Sequence, residues 1–427
     1  MAPLLYLTHR IPFPPNKGDK IRSYNLLRFL ARHYRVFLGT FIDRPEDHQH
    51  VAVLRADVAD AFFAALAPAR ARVRSGLGLL RGEPFTLPYY RDPALARWVR
   101  HIVQEQRIRK ALVFSSAMAP YVLQVADLPF VADFCDVDSA KWAQYAQAKP
   151  WPASWLYRRE ARRLLAFERR AAARAAAVTF VTEAERALFA RLAPECAARL
   201  HTVGNGVDAD FFSPVAWRRS PFSPREAAIV FTGAMDYWPN VDAVSWFARD
   251  ILPRLVARYP AVRFYVVGMN PSPAVMALAR DPRVVVTGAV PDVRTYLQHA
   301  QVVVAPLRIA RGVQNKVLEA MAMARPVVTT AACAAALHPQ VQQALLVADD
   351  APTFADRVSQ ILGGAGAGMG ERARQAVRAC YSWEGQLQQF AVLLDGIDGE
   401  TALSSAQAEA HLRAPVANQG GARRGLA

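Results

Sequence analysis

The sequence predicts an α/β protein built from two doubly wound domains, each organised around a parallel sheet. Short apolar runs alternate with segments of helical periodicity, and this alternation begins again after residue 226. A chain of 427 residues is long enough for two domains of ordinary size. Between the halves, residues 214–226 are rich in proline and arginine and lack periodicity. We therefore expect a first domain at 1–210, a linker at 211–226 and a second domain at 227–380.

The first half of the chain predicts five strands with helices between them. Apolar residues from Ile21 to Leu30 recur on one helical face, so the first helix is expected over Lys17–His33. Residues 70–91 contain several glycines and prolines and are expected to form an irregular, flexible flap. The predicted strands are Leu4–Thr8, Val36–Phe41, Leu112–Ser115, Phe130–Phe134 and Ala177–Val181.

The second half repeats the pattern of strands and helices. Helices are expected near 241–259, 291–299, 315–324 and 352–362. The glycine-rich stretch 363–370 predicts a flexible break, a last helix is expected at 381–398, and residues 399–427 are expected to be a disordered tail. The predicted strands are Ile229–Thr232, Arg263–Val267, Val284–Thr287, Val302–Pro306 and Pro326–Thr329.

The chain is strongly basic, with a net charge of +16, and only six of its 52 basic residues are lysines. So uniform a preference for arginine indicates codon composition, so much of the charge carries no functional information. The arginines concentrate in a predicted helix at 157–174, which is either a solvated surface or a contact for anionic lipid headgroups or a lipid diphosphate. Aromatic residues do not interleave with the basic ones, so nucleic acid is not an expected partner.

The cysteines and the apolar segments point to a cytoplasmic protein. Cys135, Cys196, Cys333 and Cys380 are scattered, which indicates neither a disulfide framework nor a zinc site. No uninterrupted apolar stretch is long enough to span a bilayer. The N-terminus begins directly with a strand pattern and lacks the features of a signal peptide. We therefore expect a cytoplasmic location, with attachment to the inner face of the membrane through the basic helix.

The segment from Arg308 to Val328 predicts a phosphate-binding element. It follows an apolar strand and contains a loop with a glycine, a short helix from about Asn315 and a second strand. Exposed N–H groups and the helix dipole favour an anion at such a helix start. Lys316 lies in the first helical turn, where a cation is unfavourable unless it meets an anion. An ordinary strand–helix turn with an incidental lysine is the alternative.

The amino-acid sequences of three segments resemble motifs of the retaining GT-B glycosyltransferases of family 4. LEAM at 318–321, followed by PVV at 326–328, resembles the signature helix of that family. TVGNGVDADFFSP at 202–214 resembles its interdomain element, and IVFTGAMDYWPNVDAVSWF at 229–247 resembles the start of its donor-binding domain. The resemblance implies two Rossmann-like domains facing across a cleft, with a C-terminal helix that crosses back to the first domain.

Two further segments resemble a subgroup of this family. HRIPFPPNKGDKIRSYN near the start and DFCDVDSAKWAQYA at 133–146 are similar to sugar transferases linked to exopolysaccharide assembly in bacteria with the PEP-CTERM sorting system. The resemblance implies a nucleotide-sugar donor, a lipid-linked or oligosaccharide acceptor, and no metal or other cofactor.

The resemblance places the donor in the second domain. Lys316 is the expected cation for the leaving diphosphate, assisted by Arg308 or Arg311, and Glu319 is the acid that holds the ribose hydroxyls. Gly233 would let the backbone approach a phosphate. The family's arginine and lysine after the first strand of this domain are missing. Its first signature acid is also missing, because Arg311 stands there; an acidic donor sugar, or contacts from residues 312–315 (Gly312 to Asn315), would fit this change.

The first domain is expected to bind the acceptor. Residues Lys17, Gly18, Asp19 and Lys20 open the first helix, and the two lysines are candidates for an acceptor phosphate. Asp136 is expected at a strand end, where it would orient sugar or acceptor hydroxyls. The spacing of residues 136–138 also fits the D-x-D metal motif of a different transferase fold, but the domain plan favours no metal.

These observations predict a retaining glycosyltransferase. Two alternatives stay open. A nucleotide-sugar epimerase would need acid and base groups around the sugar ring, and the arginine at position 311 disfavours it. A noncatalytic binder of anionic polysaccharide or membrane would explain the missing family residues.

Overall fold

The protein forms two parallel sheets in one chain, and the structure, a computed structural model, describes residues 1–15, 18–147, 149–310 and 312–397. All strand pairs within the first sheet are parallel, and their apolar residues are buried on both faces, as a sheet covered by helices requires. The strands of the first sheet are β1 (Pro3–Thr8), β2 (Arg35–Ile42), β3 (Asp60–Ala65), β4 (Ala111–Phe114), β5 (Phe130–Cys135), β6 (Ala177–Phe180) and β7 (Leu200–Thr202).

The second sheet is also parallel throughout. It begins the fold again after the proline-rich segment, as the restarted alternation predicts. Its strands are β8 (Ala227–Thr232), β9 (Val262–Val267), β10 (Val284–Gly288), β11 (Val302–Ala305), β12 (Val327–Thr329) and β13 (Leu346–Val347).

Helices cover both sheets. A π-type turn at Phe247–Ile251 joins the two helices that the sequence predicts as one, and a second at Ile361–Ala365 precedes the last helix of the domain. The helices of the first domain are α1 (Gly18–His33), α2 (Val51–Asp57), α3 (Pro68–Leu80), α4 (Thr86–Tyr89), α5 (Pro93–Glu105), α6 (Ala119–Leu123), α7 (Asp138–Gln147), α8 (Ala153–Arg174) and α9 (Glu183–Leu192). The second domain adds α10 (Trp238–Trp246), α11 (Leu252–Arg258), α12 (Pro273–Met276), α13 (Arg294–His299), α14 (Asn315–Ala322), α15 (Ala331–Ala334), α16 (Pro339–Gln342), α17 (Ala351–Gln360) and α18 (Met369–Cys380), and residues 383–397 form α19.

The strand order reverses once in each sheet. The first sheet has the order β3-β2-β1-β4-β5-β6-β7, and the second has β10-β9-β8-β11-β12-β13. Ligands of such open sheets bind beyond the carboxyl ends of the strands where the order reverses. These switch points lie between β1 and β4 in the first domain and between β8 and β11 in the second. A ligand site is therefore expected at the four loops that follow β1, β4, β8 and β11.

The chain passes between the domains twice, at neighbouring points. Val203 belongs to the apolar core of the first domain, whereas Val207 belongs to that of the second. On the return, Tyr381 packs in the second core and Leu387 of α19 packs in the first. The crossover helix that the resemblance implies is therefore present.

Residues 211–226, predicted to be a linker, lie against the second domain. Phe212 and Phe222 pack against its core, and the buried Arg218 donates hydrogen bonds to Ser213 O (3.2 Å) and Gln298 Oε1 (2.5 Å). Prolines prevent regular structure in this segment, but its apolar side chains are still buried. It is a covering layer of the second domain and not a free connector.

The predicted irregular flap at 70–91 is wrong, because most of it is helical in α3 and α4. Gly78 does not break α3; it allows close contact with α4, since a Cβ there would lie 2.5 Å from Pro88 Cγ. Arg159 of α8 donates to Leu79 O (2.9 Å) and Glu83 O (3.0 Å), which holds the end of α3 in place. The glycines and prolines signal tight packing here.

Three short strands, β3, β7 and β13, were not predicted from the sequence. β3 has the sequence DAFFAA and is only partly buried, while β7 and β13 contain three and two residues. Such edge strands carry little of the apolar signal on which strand prediction depends. No helix in the described parts of the chain is long and apolar enough to cross a bilayer.

Candidate active site

Two adjoining cavities lie in the cleft between the domains. The larger, of about 540 Å³, is lined mainly by the first domain and by Gly312, Val313 and Asn315 of the second. The smaller, of about 330 Å³, contains Glu319 and also Asn315. Because Asn315 lines both, the start of α14 lies where the two cavities meet. The predicted donor segment therefore faces the first domain directly.

Lys316 is held with its ammonium beside the carboxyl end of β8. Its Nζ donates to Asn240 Oδ1 (2.6 Å) and lies 4.2 Å from the centroid of the Phe231 ring. Burial lowers the pKa of Lys316 to about 7, although the nearby Cys333 and Glu319 act in the opposite direction. In the described parts of the chain no carboxylate lies within ion-pair distance of this ammonium. A partly buried ammonium without a carboxylate partner is strongly stabilised when an anionic ligand binds beside it.

Gly233, at the end of β8, makes the space that Lys316 occupies. A Cβ on Gly233 would lie 2.9 Å from Lys316 Nζ and 2.8 Å from Asn240 Nδ2. Asn240 is itself fixed, because its Nδ2 donates to Ala234 O (2.8 Å). The segment in which family relatives carry basic residues thus supplies instead an amide that orients Lys316. Sequence reasoning gave Asn240 no role.

Glu319 lies one turn after Lys316 on α14 and faces the smaller cavity. Burial raises the pKa of its carboxyl group to about 7, and the charge of Lys316 opposes that rise. The cavity around it is largely apolar, with Phe211, Phe212 and Val293 among its walls. Glu319 is therefore a half-buried acceptor of hydrogen bonds beside a surface suited to a flat, apolar group.

The loop before α14 reaches across the cleft. Gly312 has a left-handed φ of 63°, which favours glycine, and a Cβ there would lie 3.3 Å from the methyl carbon of Thr182 in the first domain. At the start of α14, the buried Oδ1 of Asn315 accepts no hydrogen bond within the described structure. A buried oxygen without a donor is unfavourable, so it is a ready acceptor for a ligand hydroxyl.

The first-domain switch point contributes His9 and Ser115, which sequence reasoning missed. The His9 ring stacks on Phe114 at 5.6 Å between centroids, and its Nδ1 lies 3.3 Å from Ser115 Oγ. Its Nε2 lies 3.7 Å from the carboxylate of Asp19. Burial by itself would raise the pKa of Asp19, but the contact with His9 and the charge of Arg10 outweigh burial and hold this pKa well below its usual value. Both residues could have been found from the sequence, because each is a polar residue directly after a central strand, β1 or β4.

Of the residues predicted to bind the acceptor, Gly18 and Asp19 line the larger cavity, but Lys20 does not. Lys20 is 4% exposed, and its Nζ lies 2.9 Å from Asp47 Oδ2 in a buried ion pair. A buried ammonium needs a partner, and Asp47 provides it. Lys20 is therefore removed as a candidate for an acceptor phosphate. Lys17 lies outside the described residues.

Arg308 also lines neither cavity. Its guanidinium forms a bidentate pair with Asp242 of α10 and stacks over the Trp246 ring at 5.5 Å. This pairing directs the side chain along the outside of the second domain. The described contacts give no support for the prediction that Arg308 assists Lys316. Arg311 lies outside the described residues.

Asp136 follows β5 and lines the larger cavity, as predicted. Its Oδ2 lies 2.8 Å from Lys141 Nζ, and Asp138 Oδ1 lies 3.1 Å from the same nitrogen. Burial alone would lower the pKa of Lys141, but the charges of Asp138 and Asp136 raise it above its usual value. An ammonium thus sits between the carboxylates of the D-x-D sequence. The described residues include no group of three or more metal-binding side chains placed to share an ion.

A buried ion pair supports the first-domain side of the cleft. Arg22 Nε donates to Asp133 Oδ2 (2.7 Å) and Nη2 donates to Asp133 Oδ1 (3.0 Å). Its third nitrogen, Nη1, donates to Gly204 O (3.1 Å) and Asn205 Oδ1 (3.0 Å), in the segment that leads to the second domain. Thr179 Oγ1 also donates to Asp133 (2.8 Å). One guanidinium therefore joins α1, β5 and the first passage between domains.

A known family model matches most of the second domain. Residues 226–363, about a third of the chain, match the model of the family described as Glycosyl transferases group 1. This range contains Gly233, Asn240, Asn315, Lys316 and Glu319. A search of curated proteins gave no match.

Solved structures resemble the whole two-domain chain. HepE of Anabaena in complex with UDP has a TM-score of 0.62 and 15% identity, covering 93% of this chain and 100% of HepE. Sucrose-phosphate synthase of Thermosynechococcus elongatus has a TM-score of 0.66 and 17% identity, covering 94% and 100%. WaaG, a glycosyltransferase of lipopolysaccharide biosynthesis, has a TM-score of 0.56 and 16% identity, covering 92% and 100%. At these identities the similarity concerns the fold, and it confirms the GT-B architecture.

Proposed function

We propose that this chain, a glycosyltransferase with a group 1 second domain on the GT-B fold, is a retaining enzyme that moves a sugar from a nucleotide sugar to a lipid-linked or oligosaccharide acceptor in exopolysaccharide biosynthesis. One observation carries the donor assignment. Asn315 and Glu319 of α14 line the cleft cavities, and the ammonium of Lys316, between them in sequence, lies beside Gly233 at the carboxyl end of β8, at the second switch point. The HepE structures that contain UDP and UDP-glucose support a nucleotide sugar as the donor class.

Each residue has a role that follows from its surroundings. Lys316, partly stripped of water, would neutralise the charge that develops on the leaving diphosphate. Glu319 would accept hydrogen bonds from the ribose hydroxyls, and Asn315 Oδ1 would accept one from the sugar. Asp136, fixed by Lys141, would orient a sugar or acceptor hydroxyl from the other side of the cleft. Holding donor and acceptor between two rigid domains reduces the entropic cost of the reaction.

We expect nucleoside diphosphate release from at least one sugar donor, without any need for divalent metal. The experiment is a screen of nucleotide sugars, with a polyprenyl-linked or oligosaccharide acceptor, in excess EDTA and again with manganese added. Retention would be read from the anomeric configuration of the product. Activity that disappears in EDTA and returns with manganese would favour a metal at Asp136 and Asp138. A chain that binds donors and never releases nucleoside diphosphate would be the noncatalytic binder.

The affinity for UDP is expected to be highest near pH 7. Because the pKa of Lys316 is lowered to about 7, its ammonium is present below that pH and is lost above it. Because the pKa of Glu319 is raised to about 7, its carboxylate is present above that pH and is lost below it. Isothermal titration across this range should give a bell-shaped dependence. Lys316→Arg should remove the alkaline limb and Glu319→Gln the acid limb; a flat profile in the native chain would contradict both assignments.

We also propose that the protein is cytoplasmic and attaches reversibly to an anionic membrane surface. Arg158, Arg162 and Arg163 of α8 are exposed, as the sequence predicts. The unexpected helix α3 adds an apolar stripe, because Val73, Leu77 and Leu80 are 65%, 52% and 84% exposed at helical spacing. A helix with exposed apolar residues among arginines is suited to the interface between headgroups and acyl chains.

Binding to anionic vesicles should depend on both features. Each arginine near such a surface contributes about 1 kcal/mol and is screened by salt. Sedimentation with phosphatidylglycerol vesicles should show binding at low salt that weakens at high salt. Leu77→Gln with Leu80→Gln should weaken it at least about tenfold at either salt, since two apolar side chains no longer insert. Arg159 should be left intact, because it holds the end of α3.

A charge control is Arg249→Gln with Arg280→Gln, which removes two exposed charges from the second domain, away from α3 and α8. This variant should bind vesicles like the native chain. If the native chain does not bind at low salt, or if the control pair and the leucine pair behave alike, attachment through the first domain is refuted.

A further inference from the structure

A groove of about 860 Å³ lies on the first domain, outside the two cavities already described. Three separate parts of the chain carry its arginines: the connection between α3 and α4, the start and outer face of α5, and the face of α8. A fourth part, residues 117–124 around α6, completes the lining. Its floor is apolar and includes Leu87, Pro120 and Phe167. Its rim carries arginines from all three parts, namely Arg81, Arg91, Arg97, Arg100, Arg163 and Arg170.

Few of these charges are neutralised within the protein. Among the described residues that line the groove, two are acidic, and both are engaged: Glu83 pairs with Arg91 at 2.9 Å, and Asp92 accepts hydrogen bonds from the backbone at the start of α5. In the described parts of the chain, the other five arginines of the rim have no acidic partner within ion-pair distance. Arginines in open solvent need no partner. Arginines gathered around a concave, partly apolar groove produce a focused positive field.

The walls of the groove are fixed before any ligand binds. Glu160 of α8 accepts hydrogen bonds from the backbone N–H groups of Phe85 (2.7 Å) and Thr86 (3.1 Å). Tyr121 OH donates to Tyr90 O (2.5 Å), which ties the turn before α5 to α6. With the contacts of Arg159 to the end of α3, these bonds hold all three parts together. A preformed site loses little conformational freedom when a ligand binds.

The groove adjoins the cleft. Tyr90 and Ala117 line both the groove and the larger cleft cavity, so a molecule whose reacting end lies near Asp136 can extend past them onto the arginines. Guanidinium groups bind phosphate and carboxylate oxygens in paired hydrogen bonds. The apolar floor adds contact area for a carbon chain or a sugar face.

We propose that this groove binds the anionic part of the acceptor, carrying phosphate or carboxylate groups, while the acceptor hydroxyl lies in the cleft. The inference rests on the proposed transferase function, because only that function requires an acceptor. It places acceptor charge on Arg97 and Arg100 from one wall and Arg163 and Arg170 from the other, and not on Lys20.

The test uses the full chain carrying Lys316→Ala, so that phosphate probes cannot bind at the donor position. Inorganic tripolyphosphate should bind to this variant at low salt in isothermal titration. Adding Arg100→Gln and Arg170→Gln, one from each wall, should weaken binding at least about tenfold. Adding Arg249→Gln and Arg280→Gln instead should leave it unchanged, although the net charge is the same. Equal weakening by both pairs, or no binding of tripolyphosphate, would overturn the inference.

Two further probes separate the sources of the anion. Farnesyl diphosphate binding more tightly than tripolyphosphate would assign the groove to a lipid-linked phosphate. A short polygalacturonate binding more tightly would assign it to an acidic glycan. UDP titration into the chain with intact Lys316 tests the donor site separately, and the Arg100 and Arg170 changes should not alter it. A native chain that binds UDP but leaves the groove empty keeps the transferase function and removes this inference.

Discussion

Replacing Lys316 or Glu319 with alanine is expected to lower turnover at least about 100-fold while leaving the fold intact. Lys316 lies beside the end of β8 and donates one hydrogen bond to Asn240, and within the described residues its other donors have no hydrogen-bond acceptor, so they can meet a diphosphate. Glu319 is the carboxylate that faces the smaller cavity. Asn240 fixes the Lys316 ammonium before the substrate binds, and both groups are partly buried, so their loss removes charge stabilisation that solvent replaces poorly.

The measurement is steady-state kinetics with the donor identified in the screen, with thermal unfolding recorded in parallel. Arg280→Ala and Glu371→Ala serve as controls, because each removes one exposed charge of the same sign from the second domain. Both controls should keep native turnover. Near-native turnover in Lys316→Ala and Glu319→Ala would remove the donor-site assignment and favour the noncatalytic binder.

Asp133→Ala is expected to destabilise the first domain by about 3–5 kcal/mol, the usual cost of leaving one partner of a buried ion pair alone. Arg22 and Asp133 are 2% and 0% exposed, so water cannot replace the lost carboxylate. The guanidinium would remain buried beside Gly204 O and Asn205 Oδ1 with its charge unopposed. We expect the destabilisation to extend to the first passage between the domains, because Arg22 also binds Gly204 and Asn205 there.

Urea denaturation followed by hydrogen exchange separates the two domains and measures the effect on each. In the Asp133→Ala variant, the rate of amide hydrogen exchange should increase in β1, β5 and β6 and stay unchanged in β8 and β11. Combining Asp133→Leu with Arg22→Met removes both charges, and much of the stability should return. A single Asp133→Ala variant as stable as the native chain would show that the pair contributes nothing to the fold.

The sequence predicts the central strands and the domain plan because these depend on local patterns. β1, β8 and β11 are continuous apolar runs, and each was predicted to within a few residues. The donor segment was predicted for the same reason, since Lys316, Glu319 and Gly233 are marked by motifs with fixed spacing.

Contacts between residues far apart in the sequence could not be predicted from local patterns. Lys20 and Arg308 look like free cations in the sequence, but each meets a carboxylate on a different element, 27 and 66 residues away. Asn240 gains its role only because Gly233 and Lys316 come together beside it. The arginine groove joins parts of the chain that are far apart in sequence, and no pattern within any one of them indicates a cavity.

The placement of the two chain passages has a consequence for the order of events in the cleft. Val207 N donates to Tyr381 O (2.8 Å), and Gly206 is small enough for the Trp383 backbone to lie against it, since a Cβ would come within 2.7 Å. Because both covalent connections lie at one place, rotation of one domain about that place changes the separation of the two switch points without stretching either connection. We therefore expect a donor that contacts both domains to bring the two switch points closer, so the place where the covalent chain crosses would influence the order in which the substrates bind.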